Sequence, residues 1–198
     1  KITLDTTPPL ISFDFPSLYQ SDSTKFTADA SFRIRISDAI SGLASSNCLI
    51  NGREIRIAAG TDIPLQRGSN VLRCVATDRA GNVSRTQEFV SLDTAAPLLA
   101  FRRLERTHFG KNDTIGFSAS DAGCGLRSLR IVAGETSRDL DLTVREIKPA
   151  DLVSASGRVS FHLEAEDHLG HKTVSDAMEV EVDLDNPQSE IKIQTDSP

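Results

Sequence analysis

The chain has 198 residues, of which 38% are hydrophobic and 25% charged, and a formal net charge of −6. This composition is that of an ordinary globular protein and excludes a disordered or collagen-like chain. Apolar runs are only a few residues long, too short to cross a bilayer, and basic residues are dispersed among acids, which argues against nucleic-acid binding. The one basic cluster, Arg102, Arg103 and Arg106, is interpreted as a solvated turn.

A phrase that begins Leu-Asp lies near the start of the chain and returns twice, the last time in a weaker form. Its aspartates are Asp5, Asp93 and Asp185, which stand 88 and 92 residues apart. A period of this length is that of an immunoglobulin-sized domain, and we expect the chain to be a segment of a longer protein with the same repeat. We predict two domains and a linker with the start of a third, over residues 1–92, 93–184 and 185–198.

Two further phrases return in each copy, and each follows apolar residues that alternate with polar ones. The first is Asp-x-x-x-Gly at Asp38 and Asp121, and the second is Asp-x-x-Gly at Asp78 and Asp167. Alternation marks half-buried strands, and Asp with Gly is turn chemistry, so the second phrase predicts the tip of a β-hairpin. The predicted inward residues are Phe32, Ile34, Ile36, Leu72, Cys74, Ala76, Val90, Leu92, Ile115, Phe117, Ala119, Phe161, Leu163, Ala165, Val180, Val182 and Leu184.

No stretch has a sustained helical period, so the predicted fold class is all-β. Short strands with turn signals at this spacing favour two tandem immunoglobulin-like Greek-key β-sandwiches over a barrel. The lack of tryptophan and the single tyrosine, Tyr19, argue against an antibody-type domain. Arg33 and Arg35, on the outward parity of their strand, are expected to help protect the sheet from pairing with another chain.

The chain has three cysteines, so at most one intramolecular disulfide forms. Alignment of the copies places Cys48 opposite Ile131 and Cys74 opposite Leu163. A joint exchange of two cysteines for two aliphatic residues is what a pair of core neighbours would show. We therefore predict a Cys48–Cys74 disulfide, the alternative being two reduced core thiols. Cys124 stands where the first copy has a serine, in a Gly-rich turn, and is expected to be an unpaired, partly exposed thiol.

Three aspartates of the second copy form a candidate metal site. In an immunoglobulin-like topology the turns with Asp121 and Asp167 lie at the same end as the linker with Asp93, so the carboxylates are expected to converge at the domain junction. Clustered carboxylates suit Ca²⁺. The alternative is that each aspartate only closes its own turn, and the chain has no Asp-x-Asp-x-Asp-Gly loop. The equivalent residues of the first copy are Asp5, Asp38 and Asp78.

The histidines offer a second, weaker metal hypothesis. His168 and His171 flank a glycine on a predicted hairpin tip, and with Asp167 they could bind zinc or copper, although structural metal sites normally need four ligands. The alternative is a pair of surface histidines. His108 and His162 lack ligand spacing. The chain has no nucleophile elbow, phosphate-binding loop or zinc-protease motif, so we expect neither catalytic residues nor enzyme activity.

The phrases Leu-Asp-Thr-Thr-Pro-Pro, Asp-x-x-Ser-Gly-Leu and Ala-Thr-Asp-Arg-Ala-Gly-Asn make the chain similar to bacterial Ig-like and HYR-type modules, which occur in tandem in large surface and secreted proteins. The likeness covers nearly the whole chain, but the second copy departs from it with His168 and His171 in place of Arg and Asn. The resemblance implies a location that is extracellular, at the cell surface or periplasmic.

The function implied by the resemblance is a non-catalytic spacer whose partners are the neighbouring repeats of its own chain, without membrane insertion. Prolines in the linkers, Pro8, Pro9 and Pro97, would limit bending. One alternative is an adhesive module that binds a protein or glycan, with the irregular stretch 134–157 as its expected surface. The other alternative is an accessory domain of a cell-wall or polysaccharide enzyme.

Overall fold

The computed structural model describes residues 4–57 and 60–185. Within these ranges the chain is built from β-strands, and its one helical element is a 3₁₀ turn at Pro149–Asp151. The same ranges contain no helix that is long and apolar enough to span a membrane. Two copies of one strand pattern follow each other, which confirms the predicted all-β class of two immunoglobulin-like sandwiches. Of the predicted third copy, residues 186–198 lie outside the described residues.

The first copy consists of two sheets. Its strands are β1 (Leu10–Asp14), β2 (Tyr19–Ser21), β3 (Thr24–Thr27), β4 (Ser31–Ser37), β5 (Leu43–Ile50), β6 (Arg53–Ile55), β7 (Ile63–Pro64), β8 (Gly68–Asp78) and β9 (Val83–Leu92). One sheet has the order β1-β4-β7 and the other the order β2-β3-β9-β8-β5-β6. All neighbouring strands are antiparallel except β3 and β9, which run parallel. Two sheets with these crossovers make a Greek-key sandwich.

The core of the first copy lies between its two sheets. In β4, Phe32 and Ile34 are buried while Arg33 and Arg35 are exposed, because successive side chains of a strand point to opposite faces. Ile36, predicted to point inward, is half-buried at the end of this row. The other buried members of the core are Cys48, Ile50, Ile63, Leu65, Leu72, Cys74, Val90 and Leu92.

A disulfide joins Cys48 on β5 to Cys74 on β8, the pair predicted from the sequence. The two residues face each other across the antiparallel pair, with Cα atoms 4.2 Å apart and a sequence separation of 26 residues. A loop of this length corresponds to a stabilisation of about 3.5 kcal/mol on the chain-entropy account. Their counterparts in the second copy, Ile131 and Leu163, are fully buried, so the same core position is filled there by aliphatic packing.

The second copy repeats the arrangement. Its strands are β10 (Leu98–Phe101), β11 (His108–Gly110), β12 (Ile115–Ser120), β13 (Leu126–Ala133), β14 (Thr136–Asp139), β15 (Glu146–Ile147), β16 (Gly157–Asp167), β17 (Lys172–Val174) and β18 (Met178–Asp183). The sheets have the orders β10-β12-β15 and β11-β18-β16-β13-β14, with β17 also paired to β16. Of the predicted inward residues of this copy, Leu184 is only half-buried and the others are buried.

The chain divides into two compact units. The first comprises Lys1–Pro97, Ser120–Arg127 and Glu166–Lys172, and the second comprises Leu98–Ala119, Ser128–Ala165 and Thr173–Pro198. The two turns that carry Asp121 and Asp167 therefore belong to the same unit as Asp93. All residues of the candidate site described next lie in this first unit.

Candidate functional site

Three aspartates of the first copy bring their carboxylates together. Asp5 in the incoming segment, Asp38 after β4 and Asp78 at the end of β8 each place one oxygen within 4.8 Å of the other two. Asp5 and Asp78 are buried and Asp38 is half-buried. Charged groups withdrawn from water need hydrogen-bond partners, so the donors around these carboxylates show which segments the aspartates connect. We call this set the first aspartate cluster.

Backbone N–H groups supply most of these donors. Asp5 accepts hydrogen bonds from the N–H of Thr7 and from that of Ser41, each at 3.0 Å, so the incoming segment is tied to the turn after β4. Asp38 Oδ1 accepts from the Gly42 N–H at 2.6 Å and closes that turn. Hydrogen bonding from Ser41 and Thr7 holds the pKa of Asp5 below its ordinary value.

Asp78 closes the hairpin between β8 and β9. Its Oδ1 accepts from the backbone N–H of Asn82, and its Oδ2 accepts from the Asn82 side-chain amide, both at 2.8 Å. The same amide also donates to the carbonyl oxygen of Asp5 at 3.2 Å. The incoming segment, the turn after β4 and the hairpin tip are therefore connected through one cluster.

Asp93, Asp121 and Asp167 of the second copy converge in the same way, and Cys124 joins them. One carboxylate oxygen of each aspartate and the Sγ of Cys124 all lie within 4.8 Å of one another. The Cys124 N–H donates to Asp93 Oδ2 at 2.8 Å, the bond that corresponds to the one from Ser41 in the first copy. The structure thus brings together the three aspartates predicted from the sequence. We call these four residues the second aspartate cluster.

Asp121 uses only one of its two oxygens in this cluster. Oδ1 accepts from the backbone N–H of Gly123 at 3.0 Å and of Gly125 at 2.8 Å. Oδ2 is buried and has no hydrogen-bond partner in the described part of the chain. Because nearly all buried polar atoms in folded proteins have a partner, this oxygen is a candidate atom to coordinate a bound cation.

Asp167 is fully buried and closes the turn between β16 and β17. Its Oδ1 accepts from the N–H groups of Leu169 and His171, each at 2.8 Å, and its Oδ2 lies 2.6 Å from His171 Nδ1. Burial alone would raise the pKa of Asp167, but hydrogen bonds from His171 and Leu169 outweigh burial and hold the pKa below its ordinary value. The carboxylate is therefore charged at neutral pH. Asp121 and Asp167 thus close their own turns and also bring their carboxylates together with that of Asp93.

The two histidines of the hairpin tip have different surroundings. His171 contacts Asp167 as described, whereas the His168 ring stacks on Tyr19 with centroids 4.1 Å apart and an interplanar angle of 4°. Among the described residues, the remaining two histidines each lie beside a glutamate, on the same strand or the neighbouring one. Of the two histidines that the sequence hypothesis combines with Asp167, His171 contacts this carboxylate, whereas His168 contacts Tyr19.

Cys124 is unpaired, but the expectation of partial exposure is wrong, because its side chain is buried among the carboxylates. Burial is the main cause that raises the pKa of the Cys124 thiol to about 12, with smaller contributions from the charge of Asp167 and a hydrogen bond with Asp93. The thiol is therefore protonated at neutral pH and a poor nucleophile. Sequence reasoning did not place Cys124 in the cluster, although its alignment with Ser41 was the available signal.

Gly123 is a second residue of the site that sequence reasoning missed. The Asp93 carboxylate lies where a side chain of residue 123 would begin, so that a Cβ there would be 1.8 Å from Asp93 Oδ2. The first copy has Ile40 at this position, exposed to solvent. The second cluster, unlike the first, therefore requires a glycine beside its incoming aspartate.

Two other surfaces bear on ligand binding. A groove of about 860 Å³ runs along the first copy, and its walls combine Phe13 and Phe15 with the ion pair of Arg33 and Asp62, whose nearest atoms are 2.7 Å apart. The stretch 134–157 instead contains two short strands and the 3₁₀ turn. Its one large exposed apolar side chain is Leu142, so this fully described stretch lacks an apolar patch.

Comparison with known proteins gives a likeness of fold. No family model and no curated protein sequence matches the chain. Among solved structures, fibronectin(III)-like modules of Clostridium thermocellum CbhA match with a TM-score of 0.43 and 14% identity, over 92% of this chain and all of that one. A tetra-tandem repeat from the extending region of a large adhesion protein matches with a TM-score of 0.37 and 14% identity, over 88% of this chain.

A third match is a Ca²⁺-stabilised adhesin of an Antarctic bacterium that binds ice, with a TM-score of 0.34, 13% identity and 92% of this chain covered. The chain spans half the length of each of these two adhesin structures. With TM-scores below 0.5 and identities of 13–14%, these matches concern the β-sandwich fold alone.

Proposed function

We propose that the chain is a non-catalytic spacer segment of a larger bacterial surface or secreted protein. The observation that supports this most directly is the position of Asp93 between the copies. Its backbone N–H donates to the carbonyl oxygen of Thr27 in the first copy at 2.9 Å, and its carboxylate accepts from Cys124 of the second. One residue thus connects a buried strand end of one copy to a turn of the next.

The bonds around Asp93 are of the stronger kind. Hydrogen bonds to a charged acceptor contribute about 1.5–3 kcal/mol each when the partners are withdrawn from water, and Asp93 is buried. Asp5 makes the equivalent carboxylate bond in the first copy, where it accepts from the Ser41 N–H at 3.0 Å. We infer that modules 1–92 and 93–184, with the start of a third at 185–198, belong to an extracytoplasmic repeat array of the bacterial Ig-like or HYR type.

Mechanical unfolding of single molecules tests the spacer proposal. The disulfide makes the two unfolding events distinguishable, because 26 residues of the first copy stay closed and shorten its extension by about 90 Å at about 3.5 Å per residue. We expect Asp5→Ala to lower the unfolding force of the first copy and Asp93→Ala that of the second. Asp62→Ala, which removes an exposed carboxylate, is the matched control. Forces unchanged by Asp5→Ala and Asp93→Ala would contradict the proposal.

We further propose that a divalent cation reinforces these clusters. Oxygen donors favour Ca²⁺, so the candidate ligands are Asp93, Asp121 and Asp167, together with their first-copy equivalents. The unpartnered Oδ2 of Asp121 supports a ligand at the second cluster. A cation at one hundred times its dissociation constant would stabilise the fold by about 2.7 kcal/mol. Melting midpoints that are the same with Ca²⁺ and with EDTA would refute calcium binding.

A ligand-binding module is the second candidate function, and the groove of the first copy supports it. Partly buried aromatic rings beside polar and charged groups are typical of sites for small organic ligands, and here Phe13 and Phe15 lie beside Arg33 and Asp62. Calorimetric titration with soluble cell-surface polysaccharides tests this alternative, using Phe15→Ala as the variant. No heat of binding in either protein would leave the spacer as the better account.

A further inference from the structure

The two aspartate clusters share one backbone frame but differ in the polar side chains beside the aspartates. Ser41 and Asn82 of the first copy are replaced by Cys124 and His171 in the second. The bonds from the backbone N–H groups are unchanged, since Ser41 and Cys124 both donate to the incoming aspartate. A hydroxyl and an amide have thus been exchanged for a thiol and an imidazole, two groups with affinity for transition metals.

The thiol is positioned as a potential ligand. Its Sγ lies within 4.8 Å of one oxygen from each of Asp93, Asp121 and Asp167, so four potential ligand atoms of two kinds lie close together. It also makes a weak hydrogen bond to the carbonyl oxygen of Gly125 at 3.9 Å. The other two cysteines form the disulfide, so Cys124 is the one thiol of the chain.

The second, independent observation is the buried Oδ2 of Asp121, which has no partner among the described residues. Its copy-one counterpart, Asp38, has no such buried unpartnered oxygen. A buried carboxylate oxygen without a hydrogen-bond partner, beside two further carboxyl groups, is costly. A bound cation would remove this cost.

We propose that Asp93, Asp121, Cys124 and Asp167 bind Zn²⁺ in preference to Ca²⁺. Four ligands that include a thiolate match the coordination number and donor preference of Zn²⁺, whereas Ca²⁺ takes six to eight oxygen ligands and no sulfur. His171 holds Asp167 through its 2.6 Å contact, in the manner of the outer hydrogen-bond partners that orient metal-binding carboxylates. This inference rests on the cation site proposed above and assigns Zn²⁺ in place of Ca²⁺ to its second cluster.

Formation of a Zn–S bond displaces the proton of the Cys124 thiol, and this proton passes to solvent as the metal binds.

Cobalt(II) and zinc titrations of untagged, EDTA-treated protein test the proposal. We expect one equivalent of Co²⁺ to produce the charge-transfer absorption of a cobalt–thiolate bond, and Zn²⁺ to abolish this absorption by displacement. In Cys124→Ser the absorption should be lost and the zinc affinity reduced by at least about tenfold, since loss of even an outer partner costs that much. Ser41 stands at this position in the first copy, so the variant is compatible with the fold.

Two controls complete the experiment. Asp121→Asn should also weaken Zn²⁺ binding, and it tests the site without changing the thiol. Asp78→Asn alters the first cluster only and should leave zinc binding unchanged. Zinc affinity that is unchanged in Cys124→Ser and Asp121→Asn would overturn the zinc assignment. Binding of Ca²⁺ without a cobalt–thiolate band would also overturn the zinc assignment, but it would support the calcium proposal. If no divalent ion binds, both cation proposals fail, while the spacer proposal depends on the force measurement.

Discussion

Replacement of Gly123 by alanine is expected to destabilise the protein by displacing the Asp93 carboxylate. The added methyl carbon would lie 1.8 Å from Asp93 Oδ2, far inside contact distance, so one of the two groups must move. Gly123 does not have a positive φ, and its backbone therefore accommodates alanine. The substitution is thus a steric test of the carboxylate position and not of glycine's conformational freedom.

The expected magnitude follows from the bond that is lost. Asp93 Oδ2 accepts from the buried N–H of Cys124 at 2.8 Å, and loss of a hydrogen bond to a charged acceptor costs about 1.5–3 kcal/mol. Alanine also restricts the unfolded chain, which returns about 0.4–1 kcal/mol. The net loss in free energy of unfolding is about 1.5 kcal/mol, which lowers the melting midpoint of a domain this size by about 6–12 °C.

Urea unfolding in EDTA measures the effect, and a double-mutant cycle tests its cause. In an Asp93→Ala background, where no carboxylate obstructs the methyl group, Gly123→Ala should cost nothing. Ile40→Ala is the matched control in the first copy, because Ile40 is 52% exposed and exposed substitutions stay within about 0.5 kcal/mol. An equal cost of Gly123→Ala in both backgrounds would refute the displacement mechanism.

Three further predictions concern the disulfide, an acid-sensitive carboxylate and the thiol. Reduction of the Cys48–Cys74 bond should lower the free energy of unfolding by about 3.5 kcal/mol; an unchanged melting midpoint, with reduction verified by mass, would contradict this. Hydrogen bonds from Ser17 hold the pKa of Asp29 below its ordinary value, so its stabilising effect is present above the unfolded-state pKa near 4 and is lost as the pH falls through the lower folded-state pKa. Asp29→Asn should therefore be less stable than the native protein in urea melts at pH 7 but equal to it at about pH 2, and an equal deficit at both would argue against this assignment. Because burial raises its pKa to about 12, Cys124 should resist Ellman's reagent at pH 8 until urea is added, and rapid labelling of the folded protein would show that the thiol is accessible.

Much of the fold was predictable because strand alternation is a local signal. Phe32 and Ile34 on one parity, with Arg33 between them, indicate a half-buried strand without knowledge of its partners. The disulfide was predictable for a different reason, since the aligned copies exchange Cys48 and Cys74 for aliphatic residues together. Both inferences compare residues that are close in sequence or equivalent in the repeat.

The surroundings of Cys124 were not predictable in this way. Its turn contains two glycines, which by composition indicates an exposed loop, and burial there results from Asp93, thirty-one residues earlier in the chain. The same long-range packing accounts for Gly123, because no local pattern shows that an aspartate from another segment fills its side-chain space. The sequence therefore predicts that the three aspartates converge, but it does not predict that Cys124 and Gly123 pack against them.

Comparison of the two clusters separates what the fold requires from what the second copy adds. In the first cluster, Ser41 and Asn82 suffice to hold the incoming segment through an N–H and an amide, so closure of the sandwich needs neither a thiol nor an imidazole. In the second cluster the Cys124 N–H donates to the incoming aspartate, as the Ser41 N–H does in the first. The Cys124 Sγ lies near three carboxylates, and the His171 imidazole contacts Asp167. A serine in place of Cys124 would preserve the structural bond and remove only the sulfur donor. The effect of Cys124→Ser on zinc binding, relative to its effect on stability, therefore measures the part of this site that the fold itself does not explain.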